Sequence, residues 1–242
     1  VPSAPIDAAH PFHTTFVRRD WGKAAFLWHS EAMPSTPYGL RKRLLAWAMA
    51  KGGPRYERLV EDRKRQLFPH AQGRVLEIGA GVGPNLRFLT GVTEYVAAEP
   101  NRFMLPYLQA ELKRCGLQGA VIPQSAEALL ANTPEAAFDT VVCTLGLCSV
   151  SDASGMLRTI RRVLRPGGKL LLLEHVGAET GTGLCACQVA ISPLFWCLAD
   201  GCKPNRRTAQ AVEACGFARV QLDEFRLPLG PIAPHICGWA ER

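Results

Sequence analysis

Short apolar runs and amphipathic stretches alternate along this chain from residue 74 to its end, and each change of period marks a change of element. Val75, Leu76 and Ile78 form the first run, which predicts a strand ending at Glu77 and Ile78 and then a helix reaching about residue 89. A second strand over 95–98 ends in Glu99, a helix over 102–115 stops at Gly116, and a third strand covers 120–123. The run 138–143 reads as a buried fourth strand. A helix over 152–164 is closed by Arg165, Pro166, Gly167 and Gly168, and a fifth strand over 169–173 is followed by Glu174 and His175. A helix near 207–215 stops at Gly216, and two strands near 219–225 and 235–240 form a terminal hairpin. This alternation predicts an α/β fold: a seven-stranded, mostly parallel, doubly wound sheet with helices on both faces and a terminal antiparallel hairpin.

The N-terminal part follows another pattern. Residues 38–50 place Leu40, Leu44 and Trp47 on one helical face and gather Arg41, Lys42 and Arg43 beside it. That suits an interfacial basic helix in peripheral contact with a membrane, or a helix packed on the body with its basic face in water. Gly53 and Pro54 open a second helix, and five prolines among the first 38 residues mark residues 1–37 as an extended arm fit for a protein partner. The expected division is therefore a basic arm and helix over 1–52 and a catalytic-type domain over 53–242. Residues 180–199 carry no charge, but Gln188, Ser192 and Pro193 leave too little continuous apolar length for a span, which needs about 20 residues. A cover over a substrate pocket is the expectation there.

Charge sharpens this division. The chain has 242 residues, 48% hydrophobic and 20% charged, which suits a globular domain with one full core. Its net charge of +7 lies wholly before residue 75, where 13 Lys and Arg face 6 Asp and Glu; beyond it the count is 15 against 15. An acidic partner would dock on the N-terminal region, but no RNA-binding module is recognisable and nucleic acid is not expected. Nine cysteines without a C-x-x-C pair predict an intracellular reducing compartment, mitochondrial or on the endoplasmic reticulum side. Cys185, Cys187, Cys197 and Cys202 match structural zinc spacings poorly, and no metal is expected. A chain beginning at Val1 is expected to be processed or a fragment.

The chemistry concentrates at RVLEIGAGVGPN, residues 74–85, where glycines 79, 81 and 83 follow the first strand. Glycine lets the chain turn sharply into a helix and lie against a ligand that a Cβ would obstruct. A dinucleotide turn needs glycine at position 84; Pro84 instead suits the first turn of a helix. The acid two residues before the first glycine, with G-x-G-x-G spacing, resembles motif I of the class I S-adenosylmethionine-dependent methyltransferases, whose fold is Rossmann-like. That resemblance implies S-adenosylmethionine as cofactor. Gly79, Ala80, Gly81, Gly83 and Asn85 would lie at its methionine part, and Glu77 would orient local N–H groups or attract its ammonium. Glu99, 22 residues after Glu77, stands near the spacing at which an acid binds both ribose hydroxyls, with Pro100 beside it. Ser125 and Ala126 would touch adenine, and Cys143, Thr144 and Leu145 would line the floor below the transferring methyl.

FDTVVCTLGLCSV (138–150), RRVLRPGGKLLLLEHV (161–176), DGC (200–202) and PHICGWA (234–240) resemble the methyltransferase-like 7 family, which are thiol S-methyltransferases. The resemblance covers roughly residues 53–242 and implies methyl transfer to a small lipophilic thiol. It also implies membrane association through an N-terminal hydrophobic segment, which the chain as given does not show. A thiol with a pKa near ~8.5 is a few per cent ionised at neutral pH, so modest help suffices. His175, Asp200 and His235 are the candidates to take its proton or hold the thiolate. A lipid or quinone acceptor, and a methyltransferase fold kept as a structural subunit of a larger, mitochondrial complex, are the alternatives.

Overall fold

The computed structural model describes residues 37–242, with side chains from Gly39 onward. Apart from residue 37, the arm expected over 1–37 lies outside the described residues. Helix α1, Pro37–Leu67, is followed by β1 (Gln72–Ile78), β2 (Gly91–Ala98), α2 (Leu105–Arg114), β3 (Gly119–Ile122) and α3 (Ala126–Ala131). Then come β4 (Phe138–Thr144), α4 (Ala153–Val163), β5 (Leu164–His175), α5 (Gly183–Leu198), α6 (Thr208–Glu213), β6 (Arg219–Arg226) and β7 (Pro234–Glu241).

The seven strands form one sheet in the order β3-β2-β1-β4-β5-β7-β6. β1 to β5 run parallel, and β7 runs antiparallel between β5 and β6. Central strands are covered on both faces, which is why β1, β4 and β5 read as continuous apolar runs rather than alternating ones. One face packs Leu76, Val141, Leu170 and Leu172 against Met156, Leu157 and Ile160 of α4. The other packs Val75, Val142, Leu171 and Leu173 with Val60 and Leu67 of α1. The chain moves outward from β1 to β3 and then returns to β4 on the other side of β1. The strand order thus reverses between β1 and β4, whose carboxyl ends open the crevice where such folds bind ligands.

Three expectations change. The two predicted N-terminal helices are one helix of 31 residues with Pro54 inside it, so the division expected at 52/53 falls within an element. Proline costs the helix a hydrogen bond but has helical φ, and tertiary anchors hold both halves: Ala46 is buried in the first, Val60 and Lys64 in the second. Second, the helix expected after the glycine turn is only a single 3-10 turn, Leu86–Phe88. The second half of α1 already covers that face of the sheet, and little chain remains before β2. Third, β5 begins earlier than expected: Leu164 pairs with Phe138, and an irregularity around Arg165–Gly168 precedes the Lys169–Thr140 pair.

The uncharged segment forms α5, capped by Thr182, whose Oγ1 accepts from the Cys185 N–H at 3.2 Å. Its buried anchor is polar. The Gln188 amide accepts from Ala178 N and donates to the carbonyls of Val176 and Pro231. Val189, Leu194, Trp196 and Leu198 are exposed, as are Leu40, Leu44 and Trp47 of α1. Among the described residues, no helix is long and apolar enough to cross a membrane.

Candidate active site

All three glycines of the turn have positive φ: 65° at Gly79, 58° at Gly81 and 84° at Gly83. Side chains are disfavoured in that region, and space adds a second constraint. A Cβ on Gly81 would lie 3.3 Å from Met49 Cε, and one on Gly83 would lie 3.0 Å from Leu86 Cδ1. The backbone at 79–81 therefore lies bare beneath α1, while Gly83 serves packing.

Two buried acids organise this turn. Glu99 accepts from Gly81 N at 2.8 Å and from Asn101 N at 2.7 Å, tying the glycine turn to the loop after β2. Each carboxylate oxygen keeps a further lone pair, and Glu99 lines the cavity. Burial pushes its pKa above the usual carboxylate range, against the two N–H bonds that favour the anion. Glu77 does not take the expected place beside backbone N–H groups. Fully buried, it accepts from Tyr95 Oη at 2.5 Å and Asn85 Nδ2 at 2.6 Å, with its pKa raised by burial against these two bonds. Asn85 is likewise no wall residue: it is buried, and its Nδ2 also donates to Thr144 Oγ1 at 2.7 Å. The pair instead joins the glycine turn to the end of β4, because an internal acid must find donors within the protein.

The loop after β4 is shaped by a residue to which the sequence reading gave no role. Glu174 Oε1 accepts from Gly146 N at 2.8 Å, from Leu147 N at 3.0 Å and from Cys143 Sγ at 3.5 Å. Cys143 points into this buried knot and lines neither cavity, contrary to its expected place on the floor. Thr144 and Leu145 do reach the cavity walls. Leu145 has φ of 53°, a strained region for a side-chain-bearing residue.

Two adjoining cavities of about 700 and 940 Å³ open at this crevice and share Met49, Gly79, Gly81 and Leu145 as walls. The first continues along Ala80, Pro84 and Tyr56. The second holds Glu99, Pro100, Ser125 and Ala126 at one end and His175, Asp200 and Cys202 elsewhere on its wall. Ser125 also caps α3 through Ala128 N, 3.3 Å away. The first half of α1 roofs the site. Asn101 Nδ2 donates to the Lys42 carbonyl at 3.1 Å, and Arg41 pairs with Asp200 at 2.8 Å and with the Cys197 carbonyl.

The three catalytic candidates separate. His175 is buried, lines the larger cavity and has Nε2 3.1 Å from Cys202 Sγ. Asp200 also lines it, but its carboxylate is held by Arg41, so the structure gives it a task in fastening the roof. His235 lines neither cavity. Its ring packs with Tyr56 and Phe225, its Nδ1 donates to the Ala233 carbonyl at 3.0 Å, and burial lowers its pKa, keeping the ring neutral. The residues that sequence reasoning missed are Met49, Cys148 and Glu174, and Cys202 entered it only among the poorly spaced cysteines. Cys148, Glu174 and Cys202 lie in CTLGLCSV, EHV and DGC, so the signal stood in the motifs that carry the resemblance.

This strand order, with a glycine turn and an acid after β2 at the switch point, defines the class I methyltransferase fold. A family model described as a methyltransferase domain matches residues 76–172. Thiol S-methyltransferase TMT1B of Homo sapiens is 31% identical over 214 residues, 83% of this chain and 87% of the relative. Thiol S-methyltransferase TMT1A of Homo sapiens is 32% identical over 199 residues, covering 76% and 80%. Among solved structures, an S-adenosylmethionine-dependent methyltransferase from Mesorhizobium loti superimposes with a TM-score of 0.57 at 18% identity, covering 76% of this chain and 98% of that one. The chain belongs to the thiol S-methyltransferase family of methyltransferases.

Proposed function

We propose that the protein transfers a methyl group from S-adenosylmethionine to a small lipophilic thiol. The observation that carries this reading is one cavity whose wall holds both Glu99 with the bare glycine backbone and the sulfur-bearing group around His175. The residues present fit the cofactor: Gly81 leaves a cradle that a Cβ would narrow, and Glu99 retains acceptor capacity at the cavity wall. When bound, the cofactor would supply a methyl on a positively charged sulfur, which an acceptor thiol would take through its sulfur electron pair once its proton has passed to solvent. Ser125 and Ala126 flank Glu99 at the end suited to adenine, and Leu145 divides the space between the two chambers. His175 faces the remaining cavity, where the acceptor sulfur is received. Apolar walls from Phe195, Trp196 and Ile232 favour a lipophilic acceptor over a charged one.

The experiment is incubation of the protein with methyl-labelled cofactor and a panel of alkyl and aryl thiols, phenols, amines and quinone precursors. Label should pass to the thiols alone, and His175→Ala should lower turnover at least about tenfold. Transfer to oxygen, nitrogen or carbon in preference to sulfur overturns the reading.

A further inference from the structure

Cys148, His175 and Cys202 come from three separate places: the loop after β4, the end of β5 and the turn after α5. Their ligand-type atoms, two sulfurs and an imidazole nitrogen, all lie within 4.8 Å of one another. Each residue is buried, with 2%, 4% and 6% of its surface exposed, yet all three line the 940 Å³ cavity. Their remaining faces are enclosed by protein while one direction opens on the space where the acceptor must arrive.

The backbone fixes these residues well. Glu174 holds Gly146 and Leu147, immediately before Cys148. The Cys148 carbonyl accepts from Lys203 N at 3.1 Å, so the two cysteine-bearing turns are bonded to each other. Cys202 N donates to the Ala199 carbonyl at 3.1 Å, and His175 stands in the β5–β7 ladder opposite His235. Both cysteines are free thiols. Cys143 and Cys237 are buried too, but neither belongs to a ligand cluster of this kind among the described residues.

We propose that Cys148, His175 and Cys202 bind a single zinc ion whose fourth position opens on the cavity and takes the acceptor sulfur. Two thiolates and an imidazole with one open site are a donor set used by catalytic zinc. Zinc–sulfur bonds of about 2.3 Å and zinc–nitrogen bonds of about 2.0 Å place tetrahedral ligand atoms about 3.5–3.8 Å apart. The observed spread accommodates this, with His175 and Cys202 separating by a few tenths of an ångström from 3.1 Å. The structure departs from the expectation of no metal, and it does so through a different set from Cys185, Cys187, Cys197 and Cys202, whose spacing matched structural zinc sites poorly. Cys187 and Cys197 are exposed, and Cys202 joins residues from other elements.

Metal entry displaces the Cys148 and Cys202 thiol protons to solvent. An acceptor thiol then gives its proton to solvent on coordination and is held as thiolate, with no change of oxidation state. Three thiolates and a neutral imidazole around a divalent ion carry a net charge of minus one, so the bound sulfur keeps electron density for attack. The role of the fourth position rests on the thiol reading above; the site itself does not.

Reduced protein titrated anaerobically with cobalt(II) should bind one equivalent, with thiolate-to-cobalt absorption and the visible bands of tetrahedral cobalt, and zinc should displace it. Cys148→Ser and Cys202→Ser should each lose this spectrum, whereas Cys187→Ser should keep it. Circular dichroism and cofactor binding report whether the variants are folded. If neither serine variant folds, metal content of the reduced wild type decides the matter, with one tightly held zinc expected. Uptake of no cobalt or zinc by reduced wild type, or an unchanged spectrum in folded variants, overturns the site. Addition of an alkyl thiol should strengthen the charge-transfer band, and an unchanged band overturns the open fourth position. Thiol methylation by protein that binds no metal refutes the site and leaves the thiol reading standing. A loaded site whose spectrum responds to thiol, without methylation, supports the site and refutes the thiol reading.

Discussion

Glu99 shows how a single side chain links the fold to a cavity wall. Its two oxygens hold the N–H groups of Gly81 and Asn101, so the acid that lines the larger cavity also sets the shape of the glycine turn. Removing it leaves two donors without their acceptor, at about 1–3 kcal/mol each where they stay buried. Glu99→Ala should therefore weaken cofactor binding at least about tenfold by calorimetry. The carboxylate's pKa is raised by burial, so the folded protein retains this proton at a pH where the unfolded chain has lost it. Its contribution to stability is thus complete below the ordinary carboxylate range and fades as pH rises through the folded value. Cofactor affinity runs the other way: the anion is the better acceptor, so binding by the wild type should weaken as pH falls through that raised value. Glu99→Gln should flatten this dependence, and equal slopes in the two proteins would contradict the assigned role. Glu99 and the three glycines were legible in the sequence because local backbone geometry demands them. Asn85 and Cys143 were misplaced, since their neighbours in sequence do reach the cavity and only packing directs these two inward.

At the scale of elements, α1 does two jobs. Its second half, with Val60 and Leu67, belongs to the core, and its first half roofs the crevice through Arg41, Lys42 and Met49. The Arg41–Asp200 pair is partly exposed on both sides, so its contribution to global stability falls in the range of about 0–1 kcal/mol. Its effect should show in dynamics instead. Arg41→Ala should keep the melting temperature within a few degrees and speed cofactor dissociation several-fold in stopped-flow measurements; an unchanged off-rate would mean that α1 does not gate the site. The break expected at Gly53 and Pro54 did not form because the local penalty of a proline is smaller than the burial that anchors the helix on either side. The missing helix after the glycine turn has the same origin, since α1 occupies its place on the sheet.

For the molecule as a whole, charge and apolar exposure coincide at α1. Nine Lys and Arg face three Asp and Glu along residues 37–67, and Trp47 and Trp196 are 57% and 60% exposed on the two helices beside the cavity. We propose that this side of the protein meets an anionic lipid surface, from which a lipophilic substrate reaches the cavity. Flotation with anionic vesicles should recover the protein, neutral vesicles should recover less, and added salt should lower recovery. Trp47→Ser with Trp196→Ser should reduce it further; recovery independent of vesicle charge and of both tryptophans would count against this surface.

Periodicity along the chain determined the strands, their parallel succession and the terminal antiparallel pair, because these patterns follow from backbone geometry and from which faces must be dry. The glycine turn and Glu99 were determined in the same way, by constraints acting within a few residues or between adjacent strand ends. Only the tertiary structure decided that α1 roofs the cavity, that His235 stays away from it, and that Cys148, His175 and Cys202 meet. Those contacts join loops distant in the chain, and no local pattern encodes a meeting produced by the packing of the whole sheet.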